Sequence, residues 1–143
     1  MLEVPAHLTK FRQMLGRWKG TTLYLNSCGE IQSQGTIEVD AQFRDGRWHQ
    51  VNTVTPDGEA SRQTVVSAYF DADDVFHLDT ERVLGTGGEV SGQVVVAWTL
   101  RSDPSMSFAE LVTFHGESGR TRTWQHFRAG EFIGVTILKE ARV

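Results

Sequence analysis

Between Ile37 and Phe43 apolar and polar residues alternate without a break: Ile37, Val39, Ala41 and Phe43 are separated by Glu38, Asp40 and Gln42. A period of two marks a strand with one buried and one solvated face. Asp45-Gly46 follows at once, and this dipeptide favours the backbone angles of a two-residue hairpin turn. Arg47–Thr55 therefore runs back beside the first strand. A lone hairpin is marginal in water, so the remaining chain has to cover its apolar face.

The rest of the sequence repeats the same grammar. Pro56-Asp57-Gly58 turns into Arg62–Phe70, Asp71–Asp74 into Val75–Asp79, and Val90–Leu100 reaches Ser102-Asp103-Pro104-Ser105. Ser107–His115, Arg120–Arg128 and Glu131–Glu140 follow, joined through Glu117-Ser118-Gly119 and Ala129-Gly130. Arg17–Leu25 precedes them all. Residues 80–90, with Gly85, Gly87 and Gly88, read as a flexible connection near an open end. Leu8, Phe11, Met14 and Leu15 share one face of a short helix over 7–15, and Gly16 is placed to end it. One helix and about nine hairpin-linked strands predict an all-β, up-and-down antiparallel barrel of about 8–10 strands, because closure removes the exposed edges.

Composition narrows the function classes. With 143 residues, one domain over 1–143 is expected. The net charge of −4 supplies no basic patch for nucleic acid or an anionic membrane. No run approaches the ~20 apolar residues of a membrane-spanning helix. The opening MLEVPAHLTKF lacks the apolar block of a signal peptide, so a cytoplasmic location is expected. Cys28 is the single cysteine, and the five histidines show no ligand spacing on one element. Neither a metal nor another cofactor is called for.

Tight turns fix register, so facing can be derived from pairing. A two-residue loop at Ala129-Gly130 pairs Arg128 with Glu131, Trp124 with Val135 and Arg122 with Ile137. One face then carries Arg122, Trp124, His126, Ile133, Val135 and Ile137. The other carries Thr121, Thr123, Gln125, Gly134, Thr136 and Glu140, which suits solvent. Carrying the first face backwards adds Leu111, Thr113 and His115, then Val94, Val96 and Trp98. From the Phe43 side the interior gains Trp48, Gln50, Asn52 and Val54, and beyond the next turn Val65, Ser67 and Tyr69.

That interior is apolar with a few polar groups, the composition of a small-molecule site. Arg122 is the candidate anchor for a carboxylate or other planar anion. Trp124, Trp98 and Trp48 are candidate stacking surfaces, while Gln50 and Asn52 could orient a ligand by hydrogen bonds. His126 and Tyr69 are the candidate proton-transfer groups if the barrel is an enzyme. Trp18 reads as a structural plug.

The stretch Gly16-Arg17-Trp18-Lys19-Gly20, after a short helix and before hairpin strands, resembles the calycin superfamily, which includes lipocalins and fatty-acid-binding proteins. The resemblance implies a Trp at the closed end of the barrel with a late Arg packed on it, Arg142 or else Arg128. The absence of a His beyond His126 departs from the haem-binding branch. Two functions are implied. The first is an intracellular barrel that binds a small hydrophobic or aromatic ligand, including planar anions. The alternative is an isomerase, cyclase or lyase for an apolar substrate. A homodimer is an open option for a partner.

Overall fold

The computed structural model describes residues 3–143, so the first two positions of the expected domain lie outside the described residues. Those residues form a closed antiparallel barrel of ten strands with one short helix. The helix α1 is Thr9–Met14. In chain order the strands are β1 (Gly16–Asn26), β2 (Ile31–Arg44), β3 (Arg47–Pro56), β4 (Arg62–Phe70) and β5 (Phe76–Asp79). They continue as β6 (Val83–Val90), β7 (Gln93–Leu100), β8 (Met106–His115), β9 (Gly119–Arg128) and β10 (Glu131–Arg142). Each strand pairs with its neighbours in sequence, and β1 pairs with β10 to close the ring. The expected all-β architecture is the one observed.

One end of the barrel is sealed by α1. Phe11 is fully buried, with ring centroids 4.9 Å from Phe76, 5.0 Å from Phe70 and 6.1 Å from Trp48. Its backbone N–H donates to Glu89 Oε1 at 2.7 Å, which satisfies a donor that the first turn of a helix leaves open. Trp18 lies beside this plug with no exposed surface, and its Nε1 donates to the carbonyl of Met14 at 3.1 Å. The guanidinium carbons of Arg120 and Arg142 sit 4.1 and 4.3 Å from its ring centre. The late arginine is therefore Arg142; Arg128 instead reaches Asp103 at 3.3 Å on the surface.

Residues 80–90 are not a flexible connection. Most of them form β6, paired to β5 on one side and β7 on the other. A side chain at Gly85 would place its Cβ 2.2 Å from the carbonyl oxygen of Ala97, so the glycine serves the close approach of two strands. The expected single strand Val90–Leu100 is interrupted by a turn at Ser91-Gly92.

Facing agrees with expectation next to the two-residue turns at 45–46 and 129–130, and it fails beyond a bulge in β10 and beyond the longer turns that precede β4 and follow β8. Asp45 and Gly46 adopt φ 52° and 74°, Ala129 and Gly130 49° and 82°, and both hairpins pair as read. Within β10, however, Ile133 bulges out between Phe132 and Gly134, so Trp124 pairs with Thr136 and Arg122 with Leu138. Inward residues beyond the bulge are Gly134, Thr136, Leu138 and Glu140 rather than Ile133, Val135 and Ile137. Such a bulge sends every later side chain to the opposite face. His115 pairs with Gly119 around the turn 116–118, which shifts β8 by one position. Glu110 and Val112 consequently face inward in place of Leu111 and Thr113. The longer loop 57–61 shifts β4 likewise: Val66, Ala68 and Phe70 point in, while Val65 is 66% exposed.

Candidate functional site

At the end away from α1 the interior is lined by aromatic residues that face inward yet are only partly buried. Trp98 stacks on Phe108 at 5.4 Å with an interplanar angle of 12° and meets Trp124 edge-on at 6.0 Å. His126 lies 4.9 Å from the Phe108 ring and 5.0 Å from that of Tyr24. Tyr24 fits there because position 134 is glycine: a Cβ on Gly134 would come within 2.7 Å of the Tyr24 hydroxyl and 2.5 Å of the Leu25 carbonyl oxygen. Inward-facing aromatics that solvent still reaches define an open mouth. Its wall behind Trp124 is the buried cluster of Trp18, Ile37, Val39 and Leu138.

Below the mouth lies a buried charge network. Arg122 holds Glu140 with two parallel bonds, Nε to Oε1 at 2.7 Å and Nη2 to Oε2 at 2.9 Å. Arg120 Nε donates to the same Glu140 Oε1 at 2.7 Å, and its Nη1 donates to the Met14 carbonyl at 3.4 Å. Glu110 Oε2 accepts from Arg122 Nη1 at 3.4 Å and from Trp124 Nε1. All four charged side chains are at most 8% exposed.

Burial opposes the Glu140 anion, but the charges of Arg122 and Arg120 outweigh it and hold the carboxyl below the ordinary value. Burial also opposes the Arg122 cation, and the charges of Glu140 and Glu110 outweigh that in turn, raising its pKa. For Arg120, burial and then the like charge of Arg122 prevail, and its pKa is pushed down to about 10, still cationic at neutral pH.

A second polar chain runs along β3. The indole N–H of Trp48 can only donate, and it does so to Gln50 Oε1 at 3.0 Å. That turns the Gln50 amide nitrogen towards Asn52, whose Oδ1 accepts at 2.9 Å. The polarity set by the indole thus leaves the Asn52 amide N–H groups at the free end of the chain. Among the described residues they have no partner, and they are not sealed from solvent.

These contacts sort the expected site residues. Trp98, Trp124 and His126 are brought together at the mouth. Arg122 faces inward as expected, but its guanidinium is committed to two carboxylates, so it is not a free anchor for an anion. Trp48 is 1% exposed and belongs to the packed core against α1, with Gln50 and Asn52 extending from it. Tyr69 points out of the barrel, where it stacks on His77 at 5.0 Å, and cannot share a site with His126. The shift introduced by loop 57–61 is the reason. Burial lowers the pKa of His126, whose Nε2 lies 2.8 Å from Thr136 Oγ1. Glu110, Glu140, Arg120, Phe108 and Tyr24 were not singled out from the sequence. The signal for the two glutamates was physical: an inward Arg122 requires buried counter-charge.

Two hollows indent the outer wall. One of about 510 Å³ is lined by Leu84, Thr86, Ala97, Ala109 and Phe127 and also touches Trp98 and Phe108, and one of about 370 Å³ is lined by Arg17, Lys19, Glu38 and Gln63. Among the described residues no group of acidic, His or Cys side chains could hold a metal ion. No helix there is long and apolar enough to cross a membrane.

Comparison with solved structures finds the same barrel elsewhere. A Nostoc punctiforme protein of unknown function from the DUF3598 family superposes with a TM-score of 0.74 at 19% identity, covering 92% of this chain and 48% of its own. This chain thus spans about half the length of that protein. The S-type phycobiliprotein lyase CPES from Guillardia theta superposes with a TM-score of 0.74 at 10% identity, covering 93% of this chain and 90% of its own. At these identities the likeness is one of fold. No protein-family model and no curated protein matches the sequence.

Proposed function

We propose that this barrel binds a small, planar, largely apolar molecule in its open mouth, between the faces of Trp98, Phe108, Trp124, His126 and Tyr24. The observation that carries the reading is the combination of inward-facing, partly exposed aromatics with polar groups there that lack partners. The larger hollow on the outer wall is lined chiefly by outward-facing side chains, and His77 at its margin is engaged by Asp71 at 2.7 Å. The calycin-type Gly16–Gly20 stretch and the packing of Arg142 on Trp18 support a ligand-holding barrel. The fold shared with a phycobiliprotein lyase makes bilins a class to include among the ligands tried. An isomerase, cyclase or lyase on the same scaffold would have to work through His126 and its neighbour Tyr24, since Tyr69 lies outside the interior.

The test is tryptophan fluorescence during titration with a bilin, a polyaromatic hydrocarbon and a fatty acid. Saturable quenching by a planar ligand, abolished in Trp98→Ala and Trp124→Ala proteins that remain folded, is expected. Absence of saturable quenching by every class would overturn the proposal.

A further inference from the structure

The structure holds an unused acceptor beside the mouth, one oxygen of Glu110. Arg120 and Arg122 are balanced by Glu110 and Glu140, so the buried cluster is neutral as a whole, and its one buried donor without a partner among the described residues, Arg120 Nη2, lies on the side of Met14 and Trp18 rather than at the mouth. The two acids are not equivalent. Both oxygens of Glu140 are engaged and its side chain is 0% exposed. Glu110 uses only Oε2, for Arg122 and for the Trp124 indole. Its Oε1 has no partner among the described residues, and with the side chain 8% exposed it is not sealed. Open to solvent, that oxygen is available to accept from a donor on an entering ligand. The indole that Glu110 holds is Trp124, which Trp98 meets edge to face, and indole faces attract cations.

We infer that Glu110 selects the ligand: the mouth takes a planar aromatic molecule that presents a cationic nitrogen or a strong N–H donor to Glu110 Oε1, and it disfavours anions. This rests on the proposed site. It also replaces Arg122, the expected anion anchor, with an acceptor. On the opposite wall the free amide of Asn52 suits an acceptor atom of the same ligand. A charged hydrogen bond made out of bulk water is worth enough to separate cation from anion by about ten-fold or more in affinity.

The experiment compares three probes of one three-ring shape on the full chain at neutral pH: aminoacridine as the cation, hydroxymethylanthracene as the neutral form and anthracene carboxylate as the anion. The cation is expected to bind tightest and the anion weakest. Glu110→Gln is expected to bring the cation down to the affinity of the neutral probe, and Glu110→Asp to retain a preference for the cation. An anion bound as tightly as the cation by the native protein would overturn the inference while leaving the site standing, and this holds even if Glu110→Gln fails to fold. So would a cation preference that survives Glu110→Gln in a folded protein. Failure of all three probes to bind would overturn the site and the inference together.

Discussion

One oxygen of Glu140 accepts from both Arg120 and Arg122, each at 2.7 Å, so a single carboxylate from β10 holds two cations of β9 inside the barrel. Removing one member of a buried ion pair leaves an uncompensated charge and costs about 3–5 kcal/mol. Glu140→Ala, which leaves Arg120 without a carboxylate and Arg122 with Glu110 alone, is therefore expected to lie near the top of that range. Urea unfolding at neutral pH measures it directly.

The same network predicts a pH dependence. The folded-state pKa of Glu140 is depressed, so its contribution is complete above the ordinary glutamate value of 4.5 and is lost as pH falls through the lower folded value. Stability should decline below about pH 4.5. Glu140→Gln should flatten that part of the profile, as followed by thermal melts between neutral and acidic pH.

His126 acts in a higher window. Burial lowers its folded pKa below the ordinary 6.5, so the unfolded chain takes up a proton before the native barrel does. Stability should therefore begin to fall as pH drops past about 6.5, and the loss should be complete once the lower folded value is passed. His126→Gln should remove this step and leave the acid limb of Glu140 in place. A step that persists in the variant would assign it to another group.

The turns decide how much of the site is legible in the sequence. The two-residue hairpins pin β2 against β3 and the end of β9 against the start of β10, so Trp48, Gln50, Asn52, Arg122, Trp124 and His126 are all assigned to the interior. The bulge at Ile133 and the turn 116–118 have no comparable signature in one sequence, and each sends the side chains beyond it to the opposite face. That is why Glu140 reads as a solvent-facing residue and Glu110 attracts no notice. Trp98 is still placed inward, because a second reversal between β8 and β7 cancels the first. A requirement of charge balance corrects the register: with Arg122 buried, its acidic partners have to come from neighbouring strands.

Gly134 offers the sharpest test of how the mouth is built. It follows the Ile133 bulge and pairs with His126, and the Tyr24 ring lies where its side chain would be. In Gly134→Ala the new Cβ would stand 2.5 Å from a backbone oxygen and 2.7 Å from the Tyr24 hydroxyl. The tyrosine can swing away, but the carbonyl of Leu25 is fixed in the pairing of β1 with β10. Overpacking that forces a backbone shift costs about 1–3 kcal/mol, and a urea midpoint lowered accordingly is expected. Tyr24→Ala combined with Gly134→Ala should recover only the part owed to the hydroxyl contact. Full recovery would mean that the strand spacing around β10 is looser than the 2.5 Å approach requires. The displaced tyrosine also opens one side of the aromatic mouth, so ligand affinity should fall in Gly134→Ala by more than its loss of stability explains.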